Sequence, residues 1–282
     1  MEHVFEQQKK LLAGKGWARE VAILHELFKK EFALQSRSGF SLLNRLLVGP
    51  LIGLLTTGIL YNGFFDAHPS SSLGEISGEN YLAFVAFGFL MHTFLNAGYY
   101  CFSSRIMSEA GTRTIALLRV APYSRVVSLF SLASMEVVKC FVVLIIAMFV
   151  AGMPPGPLWR AVGRELACFA VLFPLALSFG LLRTMIIYLN EDIGDFLDHA
   201  YLFFVLSACP YIPKGLLPKY LAPLSDFNPA YHMAYVMRTA WRPNFSSTGH
   251  VLPAAVLMTI LITAGYLTWR RVRLKVLEKC FA

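Results

Sequence analysis

Acidic side chains with helical spacing are the first residues in this sequence that could do chemistry. The stretch NEDIGDFLDH carries Glu191, followed by Asp192, Asp195 and Asp198. Acids three residues apart share a helix face, and their oxygens could hold Mg²⁺ against a diphosphate group. The alternative is a solvated helix start, where acidic side chains interact favourably with the helix dipole. Spacing alone is compatible with both interpretations.

A pair of opposite charges lies within strongly apolar sequence. Glu136 and Lys139 are about one helical turn apart inside residues 125–150, where an unpaired charge is expensive. The two side chains could pair on one helix face. We interpret them as a polar spot that faces a translocation path or a subunit contact. Proton coupling is an alternative, but it usually involves more than one such pair.

A second polar group lies in the segment before that pair. His92 and Asn96 are four residues apart and therefore share a helix face. We interpret them as a polar stripe toward the interior of a helix bundle, because no third metal ligand is evident beside them. Tyr99, Tyr100 and Phe102 follow at the cytoplasmic end of the same segment and predict an aromatic belt at the membrane interface. Tyr99 is also a candidate for a translocation path.

Nucleotide and hydrolase chemistry find no support in the sequence. A phosphate-binding loop requires the pattern GxxxxGK[ST], and no lysine in this chain is followed by Ser or Thr. No Ser, His and Asp set and no Cys and His pair stands in a recognisable local motif. We therefore expect no catalytic residue, no cofactor and no metal ion in this chain.

The elements that carry these side chains are predicted to be membrane helices. Hydrophobic residues make up 56% of the 282 residues and charged residues 15%, which is unlike an ordinary soluble domain. A span needs about 20 mostly apolar residues. The six predicted spans are residues 46–65, 81–102, 125–150, 164–189, 199–213 and 251–269. We therefore expect an all-α, polytopic membrane protein formed by a single domain over residues 1–282.

Basic residues determine the predicted orientation. Lys and Arg cluster before the first span and after the last one, and none lies in the loop 66–80. The positive-inside rule then predicts cytoplasmic termini and a cytoplasmic segment at 104–122. We interpret the formal charge of +8 as this topology signal and as attraction to anionic lipid, not as a sign of nucleic-acid binding.

Two regions outside the spans have patterns of their own. Residues 17–35 place apolar side chains at helical spacing with charges largely on the other side, which predicts an amphipathic helix in the membrane interface. A helix packed on a soluble partner domain is the alternative. Residues 211–250 alternate short apolar pieces with prolines, and they predict re-entrant or surface-lying half-helices on the outer side.

Three stretches, in this order, resemble the membrane subunits of ABC-2 type exporters, particularly those that export capsular polysaccharide or O-antigen. LFKKEFALQSRSGFSLLNRLLVGPLI is similar to the interfacial helix and first span of that family, with its early proline at Pro50. SEAGTRTIALLRVAPYSR resembles the segment E-x-GT…LL…aP-x-s-R, and IPKGLLPKYLAPLSDFNPAYHMAYVMR resembles lP…NP…h…R. The resemblance covers about residues 20–275. A tryptophan frequent at the start of span one in the polysaccharide branch is missing, so exporters of drugs, lipids or antibiotics are an alternative.

The resemblance implies a homodimeric permease that moves a polysaccharide or lipid-linked glycan outward across the bacterial inner membrane. Two copies of a separate ABC ATPase would bind ATP and Mg²⁺ on the cytoplasmic side. A coupling helix between spans two and three would contact the ATPase. The residues implied there are Glu109, Gly111, Thr112, Leu117, Leu118, Arg119, Pro122 and Arg125. The motif before the last span comprises Pro218, Asn228, Pro229, His232 and Arg238.

A further resemblance concerns the acidic stretch. Asp192, Asp195 and Asp198 loosely resemble the first aspartate motif of intramembrane prenyltransferases. That chemistry requires a second aspartate motif, which is absent from the sequence. An Mg-dependent prenyl or diphosphate transferase is therefore the third alternative, and we favour the solvated helix start for these acids.

Overall fold

The computed structural model describes residues 17–37, 39–67, 81–111, 125–152, 154, 156–239 and 248–281. The regular structure of these residues is helical, and no strand occurs among them, as predicted. The α-helices are α1 (Trp17–Ser36), α2 (Gly39–Leu43), α3 (Gly49–Ala67), α4 (Tyr81–Gly111), α5 (Arg125–Ala151), α6 (Leu158–Leu189), α7 (Gly194–Ser207), α8 (Ala222–Asp226), α9 (Pro229–Thr239) and α10 (Thr248–Phe281). A π-helical segment, Asn44–Val48, joins α2 to α3, and 3-10 turns cover Glu191–Ile193 and Lys214–Leu216.

Three helical segments within the described ranges are long and apolar enough to cross a membrane. They are Tyr81–Cys101 in α4, Ala133–Ala151 in α5 and Leu158–Ile187 in α6. They coincide with the second, third and fourth predicted spans and indicate a multi-pass membrane protein. The spans predicted at 46–65, 199–213 and 251–269 overlap α3, α7 and α10 and stay predictions.

Several helix boundaries differ from the predicted spans. α4 continues beyond residue 102 to Gly111, and α6 begins at Leu158 instead of residue 164. Hydropathy marks only the apolar part of a helix, whereas backbone hydrogen bonds continue through polar turns. α7 ends at Ser207 instead of residue 213, because Pro210 has no N–H with which to extend the helix.

α4 lies at the centre of the core. It packs against α5 and α6, and also against α3 and α9. Six of its large side chains expose 1% or less of their surface: Phe84, Phe87, Leu90, Met91, Phe94 and Leu95. A helix that is apolar on nearly all sides is buried on all sides. Most polar side chains in the buried part of α4 therefore face protein or an internal cleft.

Small residues allow α4 and α6 to approach closely. A Cβ atom at Gly180 would lie 2.3 Å from the carbonyl oxygen of Gly98 and 2.8 Å from that of Tyr99. A Cβ atom at Gly98 would lie 2.3 Å from the Cβ of Ala176. Helices in a membrane associate through such close packing, since lipid provides little hydrophobic driving force. The contact fixes the position of α4 along α6.

The chain between α7 and α9 is irregular. Cys209 has a φ of 55°, which is unusual for a residue with a side chain. A 3-10 turn and the five-residue α8 follow, and then nearly every side chain of α9 is buried. These short elements lie within residues 211–250, for which re-entrant or surface-lying half-helices on the outer side stay a prediction.

The N-terminal helix is close to its predicted bounds. α1 covers Trp17–Ser36 against the predicted 17–35, and it packs against α5. Ile23 is buried, whereas Val21 and Phe32 are exposed apolar side chains. Exposed apolar positions are compatible with contact to lipid, and the location of α1 in the membrane interface stays a prediction.

Candidate functional site

A chain of hydrogen bonds joins α3, α4 and α7. The Tyr201 hydroxyl donates to Asn96 Oδ1 at 3.0 Å, and Asn96 Nδ2 donates to His92 Nε2 at 2.7 Å. His92 Nε2 therefore accepts, so the ring proton lies on Nδ1, which contacts the Tyr211 hydroxyl. Tyr61 of α3 donates to the Tyr211 carbonyl. The polar stripe predicted from His92 and Asn96 thus holds three helices together through groups that are costly to bury unsatisfied.

An ion pair and three tyrosines lie beside this chain. Arg183 donates through Nε and Nη2 to the two carboxylate oxygens of Asp198, at 2.7 and 2.8 Å. The Tyr99 hydroxyl shares its one proton between the Leu197 carbonyl at 3.0 Å and Asp198 Oδ1 at 3.1 Å, and its ring stacks on Tyr201 with centroids 3.6 Å apart. The Arg183 guanidinium lies 5.3 Å from the Tyr99 ring and 5.1 Å from the Tyr100 ring. A bidentate carboxylate and two aromatic faces therefore fix this cation.

This cluster corrects the interpretation of Tyr99 as part of an aromatic belt. Tyr99 exposes only 4% of its surface, because its ring packs on Tyr201. Tyr100 exposes 39%, so part of its ring lies at the surface of the bundle. The belt prediction failed for Tyr99 because α7, which is distant in sequence, covers this residue.

A cleft of about 320 Å³ lies next to the cluster. Its lining is His92, Asn96, Tyr100, Asp198, His199, Tyr201, Leu202 and Val205. Aromatic rings therefore stand beside imidazole, amide, hydroxyl and carboxylate groups, between α4 and α7. A concave surface with this mixture can contact an amphipathic molecule through flat apolar faces and hydrogen bonds.

The acidic stretch divides by environment. Asp192 and Asp195 are exposed, whereas Asp198 is paired with Arg183. Hydrogen bonds from Arg183 hold the pKa of the Asp198 carboxyl below its ordinary value of 3.8. A solvated helix start describes the first two acids. The ion pair of the third was not predicted.

We expect Asp198→Asn to lower the stability of the purified chain by about 1–2 kcal/mol, because Arg183 loses its charged partner. Since the folded-state pKa is lowered, the ion pair stabilises the chain above about pH 4 and is lost as the pH falls through the folded-state value. Thermal melting in detergent at neutral and acidic pH measures both effects. Asp195→Asn removes an equal charge from an exposed position of α7 and is the control. Equal melting of the two variants would contradict the role of the ion pair.

Glu136 and Lys139 pair within α5. Lys139 Nζ donates to Glu136 Oε1 at 2.5 Å, and both side chains are half-buried. Mutual neutralisation reduces the cost of holding the two charges in an apolar helix. Their role in a translocation path or a subunit contact stays a prediction.

Asn228 joins the end of α7 to the start of α9. Its Oδ1 accepts from the Ala230 N–H at 2.9 Å, which makes Asn228 an N-cap, and Pro229 occupies the first helical position. Its Nδ2 donates to the Phe204 carbonyl at 2.6 Å and to the Ser207 hydroxyl at 2.8 Å. One side chain thus contacts polar groups at the end of α7 and at the start of α9, where helix-end groups need partners.

Arg238 supports the irregular backbone after α7. Its guanidinium donates to the carbonyls of Cys209, Pro210 and Phe84 at 3.0, 2.7 and 3.3 Å, and it lies 3.5 Å from the Phe84 ring centroid. Gly88 permits this arrangement, because a Cβ atom there would lie 1.6 Å from the Pro210 oxygen. Irregular backbone is tolerated inside a membrane protein where other groups satisfy its carbonyls. The contacts of Asn228 and Arg238 in this structure therefore stabilise the fold.

The other residues of this motif also contact backbone. His232 Nε2 donates to the Asp226 carbonyl at 2.9 Å. The Pro218 carbonyl accepts from the N–H groups of Leu221 and Ala222 at 2.8 and 3.1 Å. Both contacts close turns around the short α8.

The residues predicted to couple to an ATPase are only partly described. Glu109 and Gly111 lie in the last turn of α4, and Arg125 is the first residue of α5. α4 therefore extends into the predicted 104–122 segment. The remaining members lie outside the described residues: Thr112, Leu117, Leu118, Arg119 and Pro122.

Several polar residues of the bundle were not predicted from the sequence. Tyr201 and Tyr211 connect to α4 only in three dimensions, and Arg183 is visible in the sequence only as an interruption of an apolar run. Glu165 is fully buried in α6, and neither of its carboxylate oxygens has a hydrogen-bond partner within the described part of the chain. The sequence could have marked Glu165 as a polar residue of the bundle, because it lies next to an apolar run and carboxyl groups are rare in membrane helices.

Comparison with known proteins identifies the family. The chain matches the profile of the ABC-2 type transporter family over residues 24–241. This range extends from α1 to the end of α9 and includes the hydrogen-bonded chain, the cleft and the backbone contacts of Asn228 and Arg238. A search of curated proteins finds no match. Because the matched range is well over half of the chain, this protein belongs to the ABC-2 type transporter family, as a membrane-spanning permease.

Proposed function

We propose that this chain is the six-span permease of an ABC exporter, with both termini in the cytoplasm of a bacterial cell. Permeases of this family normally work with an ABC ATPase partner, and this sequence contains no phosphate-binding loop. Two ATPase copies then bind the ATP and Mg²⁺. The observation that carries the proposal is the polar and aromatic cleft between α4 and α7 in a permease of this family.

The cleft supports a translocation path along α4 and α7. Polar side chains that face a cavity within a membrane bundle commonly mark substrate pathways, and His92 and Asn96 both line the cleft. Helix α7, which carries Asp198, also presents exposed apolar side chains, including Phe203 and Leu206. We propose that a second copy of the chain faces this side, so that two clefts line one path in a homodimer.

A polysaccharide or lipid-linked glycan is the substrate that we propose. Sugar rings have apolar faces bordered by hydroxyl groups, and aromatic side chains with polar neighbours match both features. Tyr100, which is 39% exposed, and the buried Tyr201 provide rings in the cleft beside the Asp198 carboxylate. Contacts spread over such a surface suit a polymer that must slide instead of binding at one point.

We propose that the segment between α4 and α5 is the coupling helix. α4 ends at Gly111 and α5 begins at Arg125, and the two helices pack against each other. A push on the connecting segment would therefore act directly on α4, the helix that carries His92 and Asn96. Rigid-body movement of packed helices is an established way to open a path.

The double substitution Leu118→Glu and Arg119→Glu tests this coupling. We expect it to weaken the complex with the ATPase at least about tenfold, which corresponds to about 1.4 kcal/mol, and to abolish stimulation of ATP hydrolysis. Co-purification and ATPase assays in proteoliposomes measure the two effects. Arg160→Glu, a charge reversal at the exposed start of α6, is the matched control. An intact complex with normal ATPase stimulation would show that the coupling assignment is wrong.

A further inference from the structure

Two imidazole rings meet between α9 and α10. His232 Nδ1 and His250 Nδ1 lie 2.9 Å apart, and His232 Nε2 lies 2.9 Å from the Asp226 carbonyl oxygen. A carbonyl oxygen only accepts, so Nε2 of His232 carries a proton. The Nδ1 lone pair of neutral His232 therefore points at His250. When both rings are neutral, the proton between them belongs to His250.

Neighbouring aromatic rings hold both imidazoles in place. Tyr235 stacks on His250 with centroids 3.7 Å apart. Tyr231 meets the His232 and His250 rings edge-on, at 5.5 and 6.0 Å. Neutral imidazole is the form that binds metal ions.

We propose that His232 and His250 form a binding site for a divalent transition-metal ion such as Zn²⁺. Two imidazole nitrogens at about 2.0–2.1 Å from a tetrahedral ion are separated by about 3.3 Å. The separation of 2.9 Å must grow by about half an ångström, and each ring must turn by about 35° so that its Nδ1 lone pair points at the ion and not at the other nitrogen. The hydrogen bond from His232 Nε2 to a backbone carbonyl is also the support that metal-binding histidines usually have.

Binding changes the tautomer of one ring and leaves the net protonation unchanged. The proton on His250 moves from Nδ1 to its own Nε2, which frees Nδ1 for the ion. Water fills the other positions, since among the residues that the structure describes no group of three or more His, Cys, Asp and Glu is arranged to hold a metal. Asp226 makes two contacts here. Its carboxylate lies 2.5 Å from Lys214 Nζ, and its backbone carbonyl accepts the hydrogen bond from His232. A bound ion would tie α9 to α10, away from the cleft between α4 and α7.

Calorimetric titration of the purified full-length chain with Zn²⁺ tests the site. We expect saturable binding that weakens at least about tenfold in His250→Gln. His250→Phe keeps an aromatic ring to stack on Tyr235 but has no ligand nitrogen, so it is expected to lose binding as well. His25→Gln, at an exposed position of α1, is the matched control and should bind like the unmodified chain. Mg²⁺, which prefers oxygen ligands, should not compete.

Two results would overturn the proposal. One is the absence of Zn²⁺ binding by the unmodified chain, and the other is equal affinity in the unmodified chain and the two His250 variants. We test the site through His250 and not through His232, because replacing His232 would also remove its hydrogen bond to the Asp226 carbonyl. Size-exclusion chromatography of each variant shows that a loss of binding does not come from a loss of fold. The result is independent of ATPase binding and of transport.

Discussion

Replacing Arg238 with glutamine is expected to destabilise the chain by on the order of 3 kcal/mol or more. The guanidinium donates to the carbonyls of Cys209, Pro210 and Phe84, and a shorter amide cannot reach all three. Buried carbonyl groups left without donors carry their full desolvation cost. The conformation of the irregular backbone after α7 and its packing against α4 would be lost together. We therefore expect little folded Arg238→Gln protein in the membrane.

Fluorescence-detected size-exclusion chromatography after heating measures this effect. Arg238→Lys should be nearly as harmful, because a single ammonium group does not reproduce the planar guanidinium and its several donors. Arg160→Gln removes an exposed arginine of α6 and should melt like the unmodified chain. Normal melting of Arg238→Gln would show that the backbone after α7 does not depend on this side chain.

Gly180→Ala is the second substitution with a large expected effect. The added Cβ atom would lie 2.3 Å from the Gly98 carbonyl oxygen and 2.8 Å from the Tyr99 carbonyl oxygen. Both contacts are with backbone, so no side-chain rotation can relieve them and α4 must move away from α6. Overpacking typically costs about 1–3 kcal/mol, and here it also displaces Tyr99 from Asp198. We expect a lower melting temperature and reduced transport.

The control for this substitution lies on the same helix. A Cβ atom at Gly163 of α6 would have no neighbouring atom within 4 Å, so Gly163→Ala should be neutral or slightly stabilising, since alanine favours the helix. Melting temperatures of the two alanine variants separate the close contact from a general effect of alanine in α6. Equal melting temperatures would contradict the close approach of α4 and α6.

The sequence was sufficient to predict the helices because their signals are local. Apolar runs of adequate length predicted α4, α5 and α6 as spans, and helical periodicity predicted α1 almost to its ends. The four-residue spacing of His92 and Asn96 likewise predicted their shared helix face. In each case the information lies within a few turns of one helix.

The candidate site depends on contacts that no local pattern reveals. Asp198 pairs with Arg183 across a turn, and Tyr201 and Tyr211 bond to side chains of α4 that are more than one hundred residues away. The burial of Tyr99 by α7 also depends on a contact between residues that are distant in sequence. The irregular backbone after α7 depends on Arg238 as a distant donor, whereas the prolines there indicated only that the helix ends.

ATP-driven movement of a glycan by the reconstituted complex tests most directly whether this chain is the permease of a glycan exporter. Proteoliposomes would contain this chain together with its ATPase, and the protection of a labelled lipid-linked glycan from an external enzyme would be followed over time. We expect glycan movement that requires ATP and both proteins and that fails with Leu118→Glu and Arg119→Glu. Movement without the ATPase, or ATP-driven movement of a drug or lipid but of no glycan, would contradict it.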